Sequence, residues 1–322
     1  MKIALLILLV LIVIAVAVAI VARVQFGRSY RGALPALTAS QRALAAELRA
    51  DVEALCAHGP RNETEPQALA NAASHIERAL RSAGYDVVRE AVPEVDAPNL
   101  IAEIRGTSNE IVVIGAHYDS VEGSPGADDN ASGVAALLAL ARRLHGTQPR
   151  RTIRFVAFVN EEPPSFQTPR MGSWNHARRA HEHHEKIVAM LSLEMLGCYA
   201  DEAGSQQYPP ALRAFYPDRG NFIAFAGNTA SRKLMRQCVR AFRDHAQFPS
   251  EGAALPEAIP QIGWSDQWSF WQFGWPGVMV TDTALFRNPH YHLPTDMPDT
   301  LDYERMARVI EGLHEVVRAL AR

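Results

Sequence analysis

The sequence predicts an α/β domain built on a mostly parallel mixed sheet with helices on both faces, preceded by one N-terminal transmembrane helix. From about residue 41 onward, strand-like apolar segments alternate with helical segments, the order typical of a largely parallel sheet. Segments 110–116 and 152–159 are mainly apolar throughout, as expected of central strands buried on both faces. Residues 3–22 are an unbroken run of twenty apolar residues.

Composition excludes several classes of protein. Of 322 residues, 48% are hydrophobic and 21% are charged, which is typical of a folded globular protein rather than a disordered one. With 32 Lys and Arg against 35 Asp and Glu, the net charge is −3, so no basic surplus favours a nucleic-acid partner. Cys56, Cys198 and Cys238 lie far apart without a CxxC motif, which excludes a disulfide framework and a thiolate zinc site. A metal site would therefore depend on His, Asp and Glu.

The N-terminal apolar run predicts a membrane anchor. Its twenty residues match the helix length that crosses a bilayer, whereas the apolar region of a signal peptide has only about 7–15 residues. We therefore expect residues 1–32 to be an anchor and juxtamembrane segment, with a cleaved signal as the alternative, and 33–322 to be the folded domain. One lysine precedes the run and three arginines follow it, so the charges leave the orientation open.

The helices and strands follow in a regular order. Segments rich in Ala, Leu, Arg and Glu predict helices over 41–57, 64–82, 131–144, 173–185, 231–245 and 302–320. Alternating or continuous apolar residues predict strands over 87–92, 99–104, 110–116, 152–159, 187–193, 222–226 and 277–281. Gly84 ends the second helix, and the last helix carries one apolar stripe. Segments 198–221 and 244–263 contain Pro and Gly and are long enough to predict functional loops.

His and carboxylate residues recur where the predicted strands end. Ligands of an open α/β sheet bind beyond the carboxyl ends of its strands, so a site is expected at this edge. The residues found there are His117, Asp119, Glu161, Glu162, Glu194 and His292, with Asp128 and Asp129 in a turn that leads into a helix. Each has an ordinary alternative, because Asp favours turns and helix starts and most paired glutamates are solvated. Their combination at one edge is what predicts a site.

Six stretches carry a more specific signal and occur in this order: G-A-H-Y-D-S (115–120), G-A-D-D-N-A-S-G (126–133), N-E-E (160–162), M-G-S (171–173), L-E-M-L-G (193–197) and Y-H-L-P-T-D (291–296). Together they resemble the co-catalytic zinc aminopeptidase family, the bacterial-type leucyl aminopeptidases that share a fold with glutamate carboxypeptidases and glutaminyl cyclases. The resemblance spans the chain from about residue 41 to the C-terminus. It implies a metallopeptidase that uses a metal-activated water to remove N-terminal residues from peptides with a free N-terminus.

Carried over residue by residue, the resemblance implies two zinc ions. Their ligands would form two sets that share a bridging carboxylate: His117, Asp128 and Glu194, and Asp128, Glu162 and His292. Glu161 would be the general base, and Asp119 would orient His117. The family also implies a cis peptide bond after Asp128.

The chemistry of these residue types agrees with the resemblance. Catalytic zinc takes N and O ligands and leaves one position open, and two such ions can clamp both the attacking oxygen and the substrate. Glu161 is a free carboxylate beside a ligand carboxylate, the place from which a general base takes the proton of the attacking water. Such chemistry suits a catalytic domain on the periplasmic or extracellular side of the membrane.

Some positions stand apart from this pattern. Residue 194 is Glu where many family members have Asp, and Pro163-Pro164 replaces a glycine-led turn after the N-E-E stretch. The histidine tract 176–184 lies among charged residues and is expected to be a solvated helix face. The aromatic stretch 264–273 is expected to be mostly core, and Asp266 within it is a weak candidate for the site.

Three other functions remain as alternatives. Glutaminyl cyclases share the fold and use one zinc ion, but they typically lack the second acidic residue of the Asp128-Asp129 pair. Carboxypeptidase action is a further possibility on the same metal core. Receptor-type ectodomains on this fold have lost metal ligands, and here every ligand position carries a suitable residue. The sequence leaves the oligomeric state and the preferred N-terminal residue open.

Overall fold

The computed structural model describes residues 28–209 and 212–322. The predicted transmembrane segment, residues 3–22, lies outside these residues. Within the described ranges, none of the helices combines the length and the apolarity needed to cross a bilayer. The division into an anchor over 1–32 and a domain over 33–322 therefore stays a prediction.

Helices and strands alternate along the described chain. The strands are β1 (Val88–Ala91), β2 (Pro98–Ile104), β3 (Glu110–His117), β4 (Thr152–Phe158), β5 (Lys186–Glu194), β6 (Ile223–Asn228), β7 (Ser250–Leu255) and β8 (Gly277–Thr281). The helices are α1 (Ala39–Cys56), α2 (Pro66–Ser82), α3 (Gly133–Leu144), α4 (Gly172–Glu182), α5 (Arg232–His245), α6 (Gln267–Gln272) and α7 (Tyr303–Leu320). A tight turn over Ala127–Ser132 precedes α3. Short 3₁₀ turns lie at Pro260–Gly263, Ala284–Phe286 and Pro298–Thr300.

The strands form one sheet in the order β1-β2-β4-β3-β5-β8-β6-β7. Strand β3 pairs in parallel with β4 and β5, β5 pairs in parallel with β8, and β6 pairs in parallel with β7. The pairs β1-β2, β2-β4 and β6-β8 are antiparallel. The predicted α/β fold with a mixed sheet is thereby confirmed. Because β4, β3, β5 and β8 run in one direction, their carboxyl ends meet at one edge of the sheet.

Helices cover both faces of the sheet. On one face, apolar residues of α1, α2, α3, α5 and α7 join the strands in the larger core. On the other face, α4 and α6 cover a smaller core that includes Phe158, Met190 and Phe270. The helix starts follow local chemistry: Thr38 and Gln41 form a capping box on α1, and Asp302 caps α7.

Two segments differ from the predictions. Strand β7 lies inside 244–263, which was predicted to be a loop. Its sequence, Ser-Glu-Gly-Ala-Ala-Leu, has low β-propensity, and pairing with β6 at the sheet edge holds it extended. His176 was expected on a solvated face, but it is 3% exposed and its ring lies 3.2 Å from the Glu90 carboxylate. The other histidines of this tract, His181, His183 and His184, are exposed as expected.

Candidate active site

The predicted site residues lie at the carboxyl edge of the parallel strands. His117 is the last residue of β3, and Glu194 is the last residue of β5. Glu161 and Glu162 follow β4 after two residues, and the turn Ala127–Ser132 lies between β3 and α3. The sheet direction therefore brings together side chains that are far apart in the sequence.

Two groups of side chains have the composition and spacing of metal sites, and they share one residue. The first is His117, Asp129 and Glu194, and the second is Asp129, Glu162 and His292. His117 Nε2 lies 3.4 Å from both Asp129 Oδ1 and Glu194 Oε2. His292 Nε2 lies 3.1 Å from Asp129 Oδ2 and 3.4 Å from Glu162 Oε2. The two carboxylate oxygens of Asp129 thus face different groups, which is the arrangement of a bridging ligand.

The residue that both groups share is Asp129, one position after Asp128, the residue that the sequence analysis assigned to this place. Asp128 is fully buried, but its Oδ1 accepts a hydrogen bond from Gly197 N at 2.8 Å and its Oδ2 accepts one from Asn288 Nδ2 at 2.6 Å. Its carboxyl group also contacts that of Asp282, and burial followed by this neighbour raises the pKa of Asp282 well above its usual range. Asp128 therefore links its own turn to the loops that carry Gly197 and Asn288.

The backbone of the turn explains why Asp129, and not Asp128, faces the two groups. Asp129 and Asn130 have non-helical backbone angles, so the two neighbouring aspartates point in different directions. The cis peptide bond lies between Asp129 and Asn130, one residue later than predicted. Gly126 opens the turn at φ +62°, and a Cβ there would collide with the carbonyl oxygen of Asp129, so this close approach requires glycine. Asp296 accepts hydrogen bonds from the N–H groups of Asp128 and Asp129 and fixes the turn.

Asp119 links His117 to the loop that carries the two glutamates. Its Oδ1 lies 3.5 Å from His117 Nδ1. Its two oxygens accept hydrogen bonds from the backbone N–H of Glu161 at 3.1 Å and of Glu162 at 3.0 Å. The residue therefore contacts both the histidine that it was predicted to orient and the backbone of the predicted base. A change at Asp119 would disturb both at once.

Glu161 lies beside the two groups and belongs to neither. It is 6% exposed, and burial raises its pKa well above the usual range, opposed by His117 and reinforced by the carboxylate of Glu162. The predicted general base is thus a buried carboxylate next to, but not among, the clustered side chains. Asp266 is also fully buried near them, and burial raises its pKa to about 7.

The side chains of the two groups fit a bound cation. Three buried carboxylates face two imidazoles, and Asp129 Oδ1 and Glu162 Oε1 have no hydrogen-bond partner among the described residues. Burial and the neighbouring Asp129 carboxylate raise the pKa of Glu162 to about 7. Buried carboxylates without such partners are costly unless a cation balances them. Nitrogen and oxygen donors in sets of three suit zinc at a site that keeps one position open.

Sequence reasoning missed two residues that support the cluster. Ser265 Oγ donates a 2.6 Å hydrogen bond to Glu194 Oε2. Arg61 is fully buried, and its guanidinium donates to the carbonyl oxygens of Tyr118 at 2.9 Å, of Gly126 at 2.8 Å, and of Pro125. It therefore ties down the loop that joins His117 to the turn of Asp129. The neighbouring Asp266 could have drawn attention to Ser265 in the sequence. Arg61 has no such signal, because Gly-Pro-Arg at 59–61 indicates only a loop.

An apolar cavity of about 140 Å³ opens beside Glu194. Its walls include Phe225 of β6 and Met279 of β8. The two segments predicted to be functional loops also line it, with Tyr208 and Leu212 from one and Ile259 and Ile262 from the other. The cavity could accept an apolar side chain of a molecule bound at the cluster.

Comparisons with known proteins agree with this architecture. YfbL, an uncharacterised protein of Escherichia coli K12, is 39% identical over 265 residues, which cover 79% of this chain and 81% of that protein. A probable leucine aminopeptidase of Arthroderma otae is 30% identical over 67% of this chain, and the match spans 56% of that protein.

Solved structures share the fold at low sequence identity. LapB from Legionella pneumophila has a TM-score of 0.70 at 19% identity, with 91% of this chain and 78% of that chain covered. The glutaminyl cyclase of Fimbriiglobus ruber has a TM-score of 0.63 at 19% identity, with 90% and 98% covered. The sequence profile of peptidase family M28 matches residues 99–317, the greater part of the chain, and this protein therefore belongs to peptidase family M28 and is a peptidase.

Proposed function

We propose that this protein is an aminopeptidase that binds two zinc ions and removes apolar N-terminal residues from peptides. The observation that carries the proposal is the pair of three-residue groups that share Asp129, with Glu161 beside them and in neither group. One ion would be held by His117, Asp129 and Glu194, and the other by Asp129, Glu162 and His292.

When bound, the zinc ions would supply Lewis-acid polarisation of the scissile carbonyl and activation of the attacking water. Glu161 would accept the proton of that water on its carboxylate and deliver it to the leaving amine. Its burial favours this role, because desolvation makes a carboxylate a stronger base. Asp119 would hold the backbone of the base in place through its hydrogen bond from the Glu161 N–H.

The surroundings of the cluster favour a peptide with a free, apolar N-terminal residue. Clustered carboxylates suit the N-terminal ammonium group, and the cavity beside Glu194 is lined mainly by apolar side chains. A hydrophobic pocket discriminates by about 10–200-fold for each methylene that it accepts. We therefore expect a leucine substrate to be cleaved at least about tenfold faster than an alanine substrate.

A substrate panel combined with zinc analysis tests the proposal. Leucyl, alanyl and N-acetyl-leucyl aminocoumarins and a peptide beginning with Gln would be incubated with the enzyme, with and without a chelator. We expect two zinc ions per chain, cleavage of the free leucyl substrate but not the acetylated one, and loss of activity with the chelator. Pyroglutamate formation by a protein that holds one zinc ion would instead establish the cyclase.

A matched pair of variants sharpens the test of the ligand assignment. Asp129→Asn should lose both ions, because it removes a charge from the carboxylate that both groups share. Asp128→Asn should keep both, because residue 128 is in neither group and an amide oxygen can still accept from the Gly197 N–H, although the hydrogen bond from Asn288 Nδ2 is lost. The reverse result would return the bridging role to Asp128.

We also propose that residues 3–22 anchor the protein in a membrane, with the catalytic domain on the periplasmic or extracellular side. The support is the length and apolarity of the run. Recovery of the intact chain, beginning at Met1, in the membrane fraction would support the anchor, whereas a mature N-terminus after the run would indicate a cleaved signal.

A further inference from the structure

Helix α5 presents a row of basic side chains to solvent. Lys233, Arg236, Arg240 and Arg243 follow at intervals of three and four residues, which places them along one face of the helix. The first three are exposed, and Arg243 is partly buried at the carboxyl end. The opposite face, with Leu234, Met235, Cys238, Val239 and Phe242, is buried in the larger core. We name the exposed row of Lys233, Arg236 and Arg240 the basic face of α5.

The basic face differs from the other charged helix surfaces of the described chain. On other helices, Arg49, Arg81 and Arg178 each pair with a glutamate one turn away, and the exposed arginines without an ion pair, Arg42 and Arg78, are single residues on separate helices. Among the described residues, by contrast, neither Lys233 nor Arg236 nor Arg240 is within ion-pair distance of a carboxylate. Asp244 is the one acidic residue of this helix. Three unneutralised cations in a row, on a protein whose net charge is −3, are a local excess of positive charge.

The basic face ends where the chain arrives from its N-terminal segment. Arg243 Nε donates to Ser250 Oγ at 2.9 Å, and the Ser250 N–H donates to Ser29 Oγ at 2.8 Å. Ser29 is therefore fixed beside the carboxyl end of α5, next to the exposed Arg28. Seven residue steps separate Ala22, the last residue of the apolar run, from Ser29. At no more than ~3.6 Å per residue, the attachment point lies within about 25 Å of the end of that run.

We propose that the basic face of α5 lies on the surface of the membrane in which residues 3–22 are inserted and contacts anionic phospholipid headgroups. The inference rests on the proposed anchor and not on the peptidase chemistry. A 14-residue helix is only about 21 Å long, so a short tether at its end lets its whole length lie along the bilayer surface. Each Lys or Arg near an anionic surface strengthens its attraction by about fivefold. The tether supplies proximity, and the charges determine which side of the domain faces the lipid.

The distribution of lysines allows a direct test on the full chain. The sequence has three lysines, Lys2, Lys186 and Lys233. Lys233 lies on the basic face, whereas Lys186 begins β5, has a side chain 57% exposed and pairs with Glu110. The full chain would be reconstituted into nanodiscs of phosphatidylcholine, alone or with 30% phosphatidylglycerol. Acylation of each lysine by an amine-reactive ester would then be followed by mass spectrometry.

We expect Lys233 to react at least about threefold more slowly in the anionic discs than in the neutral ones, while the rate at Lys186 stays the same. High salt should remove the protection, because it screens the attraction. Arg236→Gln combined with Arg240→Gln should weaken docking by about 25-fold and abolish the protection. The control, Arg78→Gln with Arg178→Gln, removes an exposed arginine from α2 and a partly exposed one from α4 and should leave the protection intact.

Three results would overturn the proposal. Equal Lys233 rates in the two kinds of disc would show that lipid charge does not orient the domain. Failure of the full chain to enter the discs would remove the anchor on which the inference rests. Protection of Lys233 by duplex DNA without lipid would assign the basic face to nucleic acid. Peptidase activity on a soluble substrate, unchanged in both double variants, would show that each variant is folded.

Discussion

The two halves of the candidate site share Asp129 but are built differently. In one half, His117 and Glu194 are the last residues of neighbouring central strands, and their side chains are only 1% and 8% exposed. In the other, Glu162 lies in a loop after β4, and His292 lies in a loop with a positive φ and a side chain 29% exposed. The strand-borne half is held by the sheet, whereas the loop-borne half reaches solvent through His292. We therefore expect the loop-borne half to release its ion first when a chelator is added to the wild type.

The largest expected effect is on a residue that belongs to neither half. Glu161→Gln keeps the size of the side chain and removes its basicity, so kcat should fall by about 10²–10⁴-fold. Zinc content should be unchanged, because Glu161 is in neither group. Stopped-flow or steady-state kinetics and elemental analysis of the same preparation would measure both.

The neighbouring residue provides the control for that variant. Glu162→Gln makes the same chemical change one position along, at a residue of the loop-borne group. It should lose about one zinc ion per chain together with activity. If Glu161→Gln loses the ion and Glu162→Gln keeps it, the roles of the two glutamates are reversed.

A smaller effect is expected from shortening Glu194, and it should reverse the order of ion release. Ser265 and the backbone of β5 hold a carboxylate of this length against His117. Glu194→Asp cannot close the resulting gap without moving a buried strand, so the strand-borne ion should bind about 10–100-fold more weakly. Zinc stoichiometry against chelator concentration would then show this ion leaving first, although Asp is the residue that many relatives of the resembled family carry.

The same chelator titration can also contradict the assignment of Glu194 as a zinc ligand. If wild type and Glu194→Asp give identical chelator curves, Glu194 is not a ligand. Asp266, buried near the cluster, is the carboxylate to change next.

The site could be predicted from the sequence as far as the sheet determines it. Parallel strands bring their carboxyl ends together, so His117, Glu162 and Glu194 could be placed by recognising the strands that precede them. Recognising the strands could not decide between Asp128 and Asp129, because two adjacent aspartates have the same chemistry and the sequence does not show where each one points. Only the backbone angles of the turn decide which one faces the cluster.

The fold was predictable within a similar limit. The central strands and the long helices have strong apolar patterns, and their observed bounds lie within a few residues of the predicted ones. Strand β7 has no such pattern, and it is extended because β6 offers an edge to pair with. Tertiary pairing of this kind overrides a weak local preference, and a single sequence does not reveal it.

The smallest expected effect concerns the loop that joins the two halves through Asp129. Arg61 holds this loop with three hydrogen bonds to backbone carbonyls, and it is fully buried. Arg61→Lys keeps the charge, but a lysine cannot reproduce the planar fork, so at least one buried carbonyl would lose its donor. Such a loss costs about 1–3 kcal/mol in the free energy of unfolding. Because the turn also positions Asp129, both ions should bind more weakly, by less than about tenfold, in contrast to the single ion affected in Glu194→Asp.

Thermal unfolding and chelator titration measure the two effects, with the exposed Arg78→Lys as the control. A destabilised protein with unchanged zinc affinity for both ions would mean that Asp296, through the N–H groups of Asp128 and Asp129, is sufficient to hold the turn.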